Sequence, residues 1–296
     1  MHPVIDIIKR RKKQGSLPGQ RSDPHKVGLA IEGGGLRGAV SAGMASALES
    51  LGLRDSFDAV YGTSAGAFNG AYFLAGQIAY GTTIYYEDIN KPEFASFTRL
   101  PSVFFRRLKP IMSLDYLETE LMSKRKYLDT SAILESPIPL HIVASSVSRA
   151  KAIRLSKFSS REQLLGALKA TACVPLISGP PIQLDGDEYF DGGLFESIPF
   201  DSAIKDGCSH VLVLATRPRM KLRGTLSFLE KTFGVPYLNS INPELGAQLE
   251  RRPSQYRACL TELEKYTITA GGPSFTYVIQ PSEHAKPVSR FSKKRD

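Results

Sequence analysis

The chain has 296 residues, a length that allows one large domain or two ordinary ones. Hydrophobic residues make up 42% of the sequence, which excludes a disordered composition and allows a sizeable core. The formal net charge of +9 favours anionic partners such as membrane surfaces. Three widely spaced cysteines exclude a disulfide framework and a zinc-binding pattern, and they favour a cytoplasmic protein with reduced thiols. No apolar run is long enough to predict a membrane-spanning helix.

Both ends of the chain are rich in Lys and Arg, and we expect each to be a solvated basic tail. In residues 1–25, an apolar run precedes the charged run at residues 9–13, whereas a secretory signal has its charges first. Residues 281–296 form the second predicted tail. Such tails would favour peripheral contact with an anionic membrane. Because no recognised nucleic-acid-binding module accompanies the charge, no nucleic-acid partner is expected.

Strand-like and helix-like segments alternate along most of the chain. Apolar runs predict strands over residues 26–31, 57–61, 138–147, 152–155, 182–190 (a hairpin), 210–215 and 275–279. Helical spacing and capping residues predict helices over residues 39–51, 65–80, 115–124, 160–172, 199–207 and 243–265. This alternation predicts an α/β layered fold with a mostly parallel central sheet flanked by helices. We expect a core at residues 26–215 and a helix-rich part at residues 216–280 packed on the same domain.

A serine lies between the second predicted strand and the helix that follows it. The local sequence fits the G-x-S-x-G pattern, and its residues are Gly62, Thr63, Ser64, Ala65 and Gly66. A serine on a tight strand-to-helix turn is strained, so the residues two positions away must be small. The turn would place the hydroxyl near free N–H groups of the helix, which can stabilise a developing negative charge. Ser64 is therefore a candidate nucleophile, and the alternative is a Gly/Ser turn without chemistry.

A glycine-rich loop separates the first predicted strand from the first predicted helix of the core. Its residues are Gly33, Gly34, Gly35, Leu36, Arg37 and Gly38. Successive glycines let the backbone turn its N–H groups toward a bound anion, or toward an oxygen that becomes anionic. The loop is therefore a candidate oxyanion hole.

The same loop also matches the dinucleotide-binding pattern G-x-G-x-x-G at Gly33, Gly35 and Gly38. That pattern requires an acidic residue at the end of the second strand. Asp55 and Asp58 precede the second strand instead, and the G-x-S-x-G segment ends it. The sequence favours acyl transfer, with a Rossmann-type dinucleotide-binding protein as an alternative.

A serine hydroxyl needs a base within hydrogen-bond reach. The five histidines lie in the N-terminal tail, in apolar strands or in a polar C-terminal segment, and they are His2, His25, His141, His210 and His284. An α/β-hydrolase-type esterase with a Ser-His-Asp triad would use His210 or His284 together with Asp191. The other candidate is Asp191 acting directly. It follows a strand and begins the segment Asp191-Gly192-Gly193, and burial beside an acyl pocket would raise its pKa.

These three motifs, in this order, resemble those of the patatin-like phospholipase family over residues 26–215. The resemblance implies a Ser–Asp dyad with Ser64 as nucleophile and Asp191 as proton acceptor. It also implies oxyanion-hole N–H groups from Gly33 to Gly38, with Arg37 at the family's basic position. The implied activity is that of a lipid acyl hydrolase, a serine carboxylic-ester hydrolase acting on phospholipids or other lipids without a metal or cofactor. A catalytically silent lipid-binding protein on the same fold is the remaining alternative.

Several aromatic residues between positions 82 and 136 are expected either to join the core or to line an acyl pocket. They are Tyr85, Tyr86, Phe94, Phe97, Phe104 and Phe105.

Overall fold

A computed structural model describes residues 1–89, 91–96, 110–218, 225–268 and 274–285. The strands in these ranges are β1 (Val27–Ile31), β2 (Ala59–Thr63), β3 (Leu140–Ser146), β4 (Lys151–Leu155), β5 (Ile182–Leu184), β6 (Asp187–Asp191), β7 (His210–Leu214) and β8 (Phe275–Ile279). The helices are α1 (Pro3–Gln14), α2 (Gly38–Ser50), α3 (Ala65–Leu74), α4 (Ile78–Thr82), α5 (Ile84–Glu87), α6 (Leu114–Tyr116), α7 (Thr130–Leu134), α8 (Arg161–Thr171), α9 (Phe200–Lys205), α10 (Val235–Ile241) and α11 (Pro243–Ile268). Short π-helical segments cover Leu117–Arg125 and Glu230–Gly234, and short 3-10 segments cover Gly35–Arg37, Arg54–Ser56 and Gly192–Leu194.

The strands form one sheet in the order β5-β6-β3-β2-β1-β7-β8, with β4 paired to β3. The pairs β3–β2, β2–β1, β1–β7 and β7–β8 are parallel, whereas β4, β5 and β6 pair antiparallel. Every residue of β1, β2 and β7 is buried, as expected for central parallel strands that helices cover on both faces. The predicted mostly parallel sheet flanked by helices is confirmed.

Two helical layers cover the sheet. On one face, α2 and α3 bury small residues such as Ala42, Ala45 and Ala67 in the core cluster that contains Leu29 and Val60. On the other face, α9 and α11 pack on the alternate residues of β1, β2 and β7. Side chains on the two faces of a strand alternate, so each central strand contributes to both layers.

The first 14 residues differ from their prediction as a solvated arm. Residues 3–14 form α1, whose apolar face is buried through Val4, Ile7 and Ile8. Arg11 is fully buried, and its guanidinium forms ion pairs with Asp23 at 2.8 Å and Asp58 at 2.7 Å. The prediction of a solvated arm is therefore wrong here, because spacing of apolar residues by three and four positions makes one helical face that the sheet region covers.

Two predicted helices have a different form in the structure. The helix predicted over residues 65–80 ends at Leu74, and a second one begins at Ile78, because Gly76 between them has a φ of 68°. The helix predicted over residues 115–124 begins at Leu114, with Ser113 as its cap, and continues as a π-helix.

The remaining predicted segments are described only in part. Phe94 is buried in the core and Tyr86 is 47% exposed, whereas Phe97, Phe104 and Phe105 lie outside the described residues. Of the predicted C-terminal tail, residues 286–296 also lie outside them. Among the described residues, no helix is both long and apolar enough to cross a bilayer.

Candidate active site

The turn between β2 and α3 holds Ser64 in a strained backbone conformation. Ser64 has a φ of 53° and a ψ of −129°, a region that residues with a Cβ rarely adopt. A Cβ on Gly62 would lie 2.4 Å from the Cα of Ala67. A Cβ on Gly66 would lie 2.2 Å from the carbonyl oxygen of Ile31. Both positions therefore require glycine, and the strained serine turn that the sequence pattern predicts is present.

The residues on either side of Ser64 pack against two other segments. Thr63 ends β2, and its Oγ1 donates a hydrogen bond to the carbonyl oxygen of Glu196 at 2.9 Å. Ala65 begins α3 and lies directly against Gly38. A Cβ on Gly38 would be only 2.6 Å from the Cβ of Ala65. The serine turn is therefore in contact with the glycine-rich loop and with the segment that follows Asp191.

The glycine-rich loop passes directly beside Ser64. A Cβ on Gly33 would lie 2.9 Å from the Cβ of Ser64, so the two backbones can approach this closely only with glycine at position 33. Gly34 and Gly35 have φ values of 158° and 59°, which glycine adopts most readily. The guanidinium of Arg37 folds back over Gly34, with one nitrogen 3.1 Å from the place of a Cβ there.

The N–H groups of this loop fall into two sets. Three of them donate hydrogen bonds that hold the loop in place. The Gly33 N–H donates to the carbonyl oxygen of Ser197, the Arg37 N–H to that of Gly34, and the Gly38 N–H to that of Gly35. The other three have no acceptor among the described residues, and these belong to Gly34, Gly35 and Leu36. Of the six residues predicted for the oxyanion hole, these three have the backbone N–H groups best suited to receive an oxyanion, and the assignment stays a prediction.

The pairing of β3 brings the end of β6 next to the end of β2. Strand β4 pairs with residues 142–146 of β3, while β2 pairs with residues 140–143 and β6 with residues 144–146. A strand has two edges, and one edge pairs with only one neighbour at a given residue. Strands β2 and β6 must therefore share the edge opposite β4, with Thr63 at the level of Val143 and Asp191 at the level of Ala144.

Contacts around Asp191 agree with this register. A Cβ on Gly192 would lie 2.1 Å from the carbonyl oxygen of Val143 and 3.0 Å from the Cγ2 of Thr63. The backbone N–H of Gly193 donates a hydrogen bond to Oδ1 of Asp191 at 2.7 Å. The Asp191-Gly192-Gly193 segment therefore lies against the end of β2, the strand that directly precedes Ser64.

Cys173 also lies beside Asp191, because its carbonyl oxygen accepts a hydrogen bond from the Asp191 N–H at 2.8 Å. Burial, and secondarily the Asp191 charge, raises the pKa of the Cys173 thiol to about 12. The thiol is therefore protonated at neutral pH and unsuited to act as a nucleophile.

Thr171 is a site residue that the sequence did not indicate. It is fully buried at the end of α8, and its Oγ1 accepts a hydrogen bond from the backbone N–H of Ser64 at 2.8 Å. The same hydroxyl donates to the carbonyl oxygen of Val143 at 2.5 Å. Thr171 thus connects the serine turn to β3, and a single threonine in a helix carries no sequence signal for that contact.

The histidines of the predicted strands lie near the amino ends of the parallel strands, whereas the serine turn lies at their carboxyl ends. His210 begins β7 and pairs in register with Val27, at the amino end of β1, whereas Ser64 follows the carboxyl end of β2. His141 lies near the amino end of β3 and faces Asp206 at 3.6 Å. Burial lowers the pKa of each imidazole to about 4, so both would be weak bases.

His284 is exposed in a turn, and no described hydrogen bond joins it to Ser64 or Asp191. The described structure thus gives no support to a Ser-His-Asp triad that uses His210 or His284.

The dinucleotide alternative also lacks its acidic residue in the structure. Asp58 precedes β2 and its carboxylate pairs with Arg11 and Arg21 at the amino end of the sheet. The carboxyl end of β2, where the ribose-binding acid would lie, is occupied by the serine turn. Within the described ranges, no group of three or more His, Cys, Asp or Glu residues is arranged to hold a metal ion.

The chain is similar in sequence to a curated bacterial protein. It is 28% identical to the uncharacterized protein YjjU of Escherichia coli (strain K12) over 198 residues, which are 66% of this chain and 53% of that protein. The chain thus spans about half the length of this curated relative.

Two solved structures are similar to the chain at low sequence identity. The crystal structure of VipD from Legionella pneumophila has a TM-score of 0.46 and 15% identity, covering 92% of this chain and 63% of that one. Human GIVD cytosolic phospholipase A2, in complex with a fluorophosphonate inhibitor, has a TM-score of 0.40 and 16% identity, covering 79% of this chain and 46% of that one.

A family model described as patatin-like phospholipase matches residues 29–204, which is more than half of the chain. This range contains the glycine-rich loop, the serine turn and the Asp191 segment. The chain belongs to the patatin-like phospholipase family.

Proposed function

We propose that this protein is a lipid acyl hydrolase in which Ser64 is the nucleophile and Asp191 is the proton acceptor. Membership of the patatin-like phospholipase family supports hydrolysis of lipid esters at the level of the family. The observation that carries the residue assignment is the shared edge of β3, which sets Asp191 one register position beyond Thr63.

In the first step, the Ser64 hydroxyl attacks the carbonyl carbon of the ester while Asp191 takes the hydroxyl proton. The carbonyl oxygen becomes an oxyanion, and the N–H groups of Gly34, Gly35 and Leu36 bind it. Donors fixed in advance at this position lower the barrier because they need no reorganisation as the charge develops. The strained turn contributes by holding the serine Oγ clear of the strand.

In the second step, the C–O bond to the alcohol breaks, and the alcohol leaves with the proton from Asp191. Water then gives a proton to Asp191 and attacks the carbonyl carbon of the acyl-serine ester. The bond from that carbon to the Ser64 Oγ breaks, and Oγ takes the proton back from Asp191. The products are the free fatty acid and the restored serine. Every proton movement in this scheme uses Asp191, so no histidine, metal or cofactor takes part.

The proposed substrate is a phospholipid or another lipid acyl ester. We propose that the protein acts in the cytoplasm and meets such substrates at a membrane surface by peripheral contact. The chain as a whole has a formal net charge of +9, which is of the sign that anionic lipids attract.

The test is hydrolysis of a short-chain p-nitrophenyl ester and of a phospholipid by wild type, Ser64→Ala and Asp191→Asn. We expect each substitution to lower kcat by at least about a thousandfold on both substrates, because the two groups act as a unit. Matched controls are Ser50→Ala and Asp55→Asn, which change exposed residues distant from the turn and should retain wild-type rates. Equal rates for wild type and the two site variants would exclude the proposal.

A further inference from the structure

Glu32 is a buried carboxylate beside the glycine-rich loop, and the proposed steps do not use it. The residue is 1% exposed and immediately precedes Gly33. Its Oε2 accepts a hydrogen bond from the backbone N–H of Thr216 at 2.5 Å. Its Oε1 accepts one from the hydroxyl of Tyr256, in α11, at 2.8 Å. Both side-chain oxygens therefore act as hydrogen-bond acceptors, so the buried group has a donor at each of them.

A buried carboxylate needs a positive partner, and Arg217 supplies it. The Nε of Arg217 lies 3.9 Å from Oε1 of Glu32, and its guanidinium lies 4.4 Å over the ring of Tyr256. Burial, followed by the charge of Glu32, raises the pKa of the Tyr256 hydroxyl well above its ordinary value. The hydroxyl is therefore protonated at neutral pH and able to donate to Glu32.

The backbone around Glu32 fixes the start of the loop. The N–H of Glu32 donates to the carbonyl oxygen of Leu214 at 3.0 Å. The Oγ1 of Thr216 donates to the carbonyl oxygen of Gly33 at 3.4 Å. Since the Thr216 N–H is held by the Glu32 side chain, that side chain also sets where Thr216 meets Gly33. Gly33 in turn lies against the Cβ of Ser64, as described above.

We propose that Glu32 is a positioning residue for the oxyanion-binding loop and that Tyr256 holds it in its working conformation. The proposal rests on the function proposed for Ser64. Glu32 acts through Gly33 and Thr216 and does not touch the substrate. Thr216, Arg217 and Tyr256 lie outside the range 29–204 that matches the family model, so the C-terminal part of this chain becomes a component of its catalytic geometry.

The test compares Tyr256→Phe with Tyr266→Phe in the full chain. Tyr256→Phe keeps the ring under Arg217 and removes only the hydroxyl that donates a hydrogen bond to Glu32. Tyr266 is in the same helix, its ring packs on Phe200, and it makes no described contact with Glu32, so it is the matched control. The readouts are kcat and KM on a soluble p-nitrophenyl ester, and amide hydrogen exchange of the peptide that contains residues 33–38.

For Tyr256→Phe we expect kcat to fall roughly 10- to 100-fold while KM changes less than about twofold, because the loop acts in the transition state. Exchange in the loop peptide should be faster than in wild type, with little change in the peptides of β1 and β2. Tyr266→Phe should match wild type in both readouts. In a Glu32→Gln background, Tyr256→Phe should add little further loss, because the two groups act through one contact.

Wild-type kcat and wild-type loop exchange in Tyr256→Phe would overturn the proposal. So would a uniform rise of exchange throughout the sheet, which would indicate a merely structural role. The exchange readout does not depend on turnover. If the wild-type protein hydrolyses no ester, the proposed function fails, and loop exchange alone still decides whether Glu32 and Tyr256 position the loop.

Discussion

At the residue scale, the site depends on a few backbone groups that side chains hold in place. Ser64 is at an unfavourable φ, and such a conformation persists only where its surroundings fix it. Thr171 is one such constraint, since its hydroxyl bonds both the Ser64 N–H and the Val143 carbonyl.

We expect Thr171→Val to lower kcat by about 10- to 100-fold and to lower the free energy of unfolding by about 1–3 kcal/mol. Valine has nearly the same shape but leaves the buried N–H of Ser64 without an acceptor. Thr171→Ser retains the hydroxyl and should keep most of the activity. Ester hydrolysis and urea unfolding measure the two effects. A Thr171→Val variant as active as Thr171→Ser would show that this hydroxyl does not hold the serine turn.

The sequence predicts the residues of the site whose type is dictated by the local backbone. Gly62, Gly66 and Gly192 have no room for a Cβ, so glycine patterns reveal them. Thr171 and Glu32 could not be found in this way. Their contacts join segments that are 107 and 224 positions apart in the chain, and threonine and glutamate are common in many other settings.

At the element scale, α1 is the helix that the sequence analysis misassigned. Its buried face follows ordinary helical spacing, but the basic residues 9–13 in its second half are equally typical of a solvated arm. The partners that decide between the two are β8 and the segments before β1 and β2, and the local sequence does not show them. The sheet strands were predictable because continuous apolar runs between turn residues mark buried parallel strands.

We expect Arg11→Met to lower the free energy of unfolding by about 2–4 kcal/mol. The change leaves Asp23 without its cation and takes hydrogen-bond donors from two backbone carbonyl oxygens, whereas Asp58 keeps its pair with Arg21. Arg10→Met is the matched control, because Arg10 is half exposed and its ion-pair partner within the described ranges is the exposed Asp6. That control should change the stability by less than about 0.5 kcal/mol. Urea unfolding measures both, and equal midpoints for the two variants would contradict the role given to Arg11.

The same contact predicts a pH dependence. The hydrogen bond from Arg11 lowers the pKa of Asp23 from 3.8 to about 2. A carboxyl whose pKa is lower in the folded state stabilises the fold above its unfolded pKa, and that contribution is lost as the pH falls. The stability difference between wild type and Asp23→Asn should therefore be constant near neutral pH and shrink from about pH 4 downward. Urea unfolding between pH 6 and pH 3 measures it, and a constant difference over that range would refute the assignment.

At the scale of the whole molecule, the carboxyl ends and the amino ends of the parallel strands have different roles. The carboxyl ends of β1 and β2 carry the glycine-rich loop and the serine turn. The amino ends carry the buried charges around Arg11, which bonds to residues just before β1 and β2. The basic end of α1 therefore lies at the amino ends of the strands, opposite the site. From the sequence alone, its charges were expected to favour contact with a membrane.

This arrangement predicts that the basic residues of α1 do not deliver lipid to the site. The triple variant Lys9→Gln, Arg10→Gln and Lys13→Gln should hydrolyse a soluble ester and anionic phospholipid vesicles within about twofold of wild type. All three side chains are exposed, so folding should be unaffected. Loss of vesicle hydrolysis with retained ester hydrolysis would instead indicate that α1 contacts the membrane during turnover.

The most direct test of the central claim is covalent labelling by a fluorophosphonate, followed by peptide mapping to find the modified residue. Because this reagent reacts with an activated serine and resembles the tetrahedral intermediate, it reports the nucleophile and the oxyanion-binding groups together. We predict a single adduct on Ser64 in the wild-type protein, much slower labelling in Asp191→Asn and none in Ser64→Ala. An unlabelled wild-type protein, or an adduct on another serine that persists in Ser64→Ala, would contradict the account.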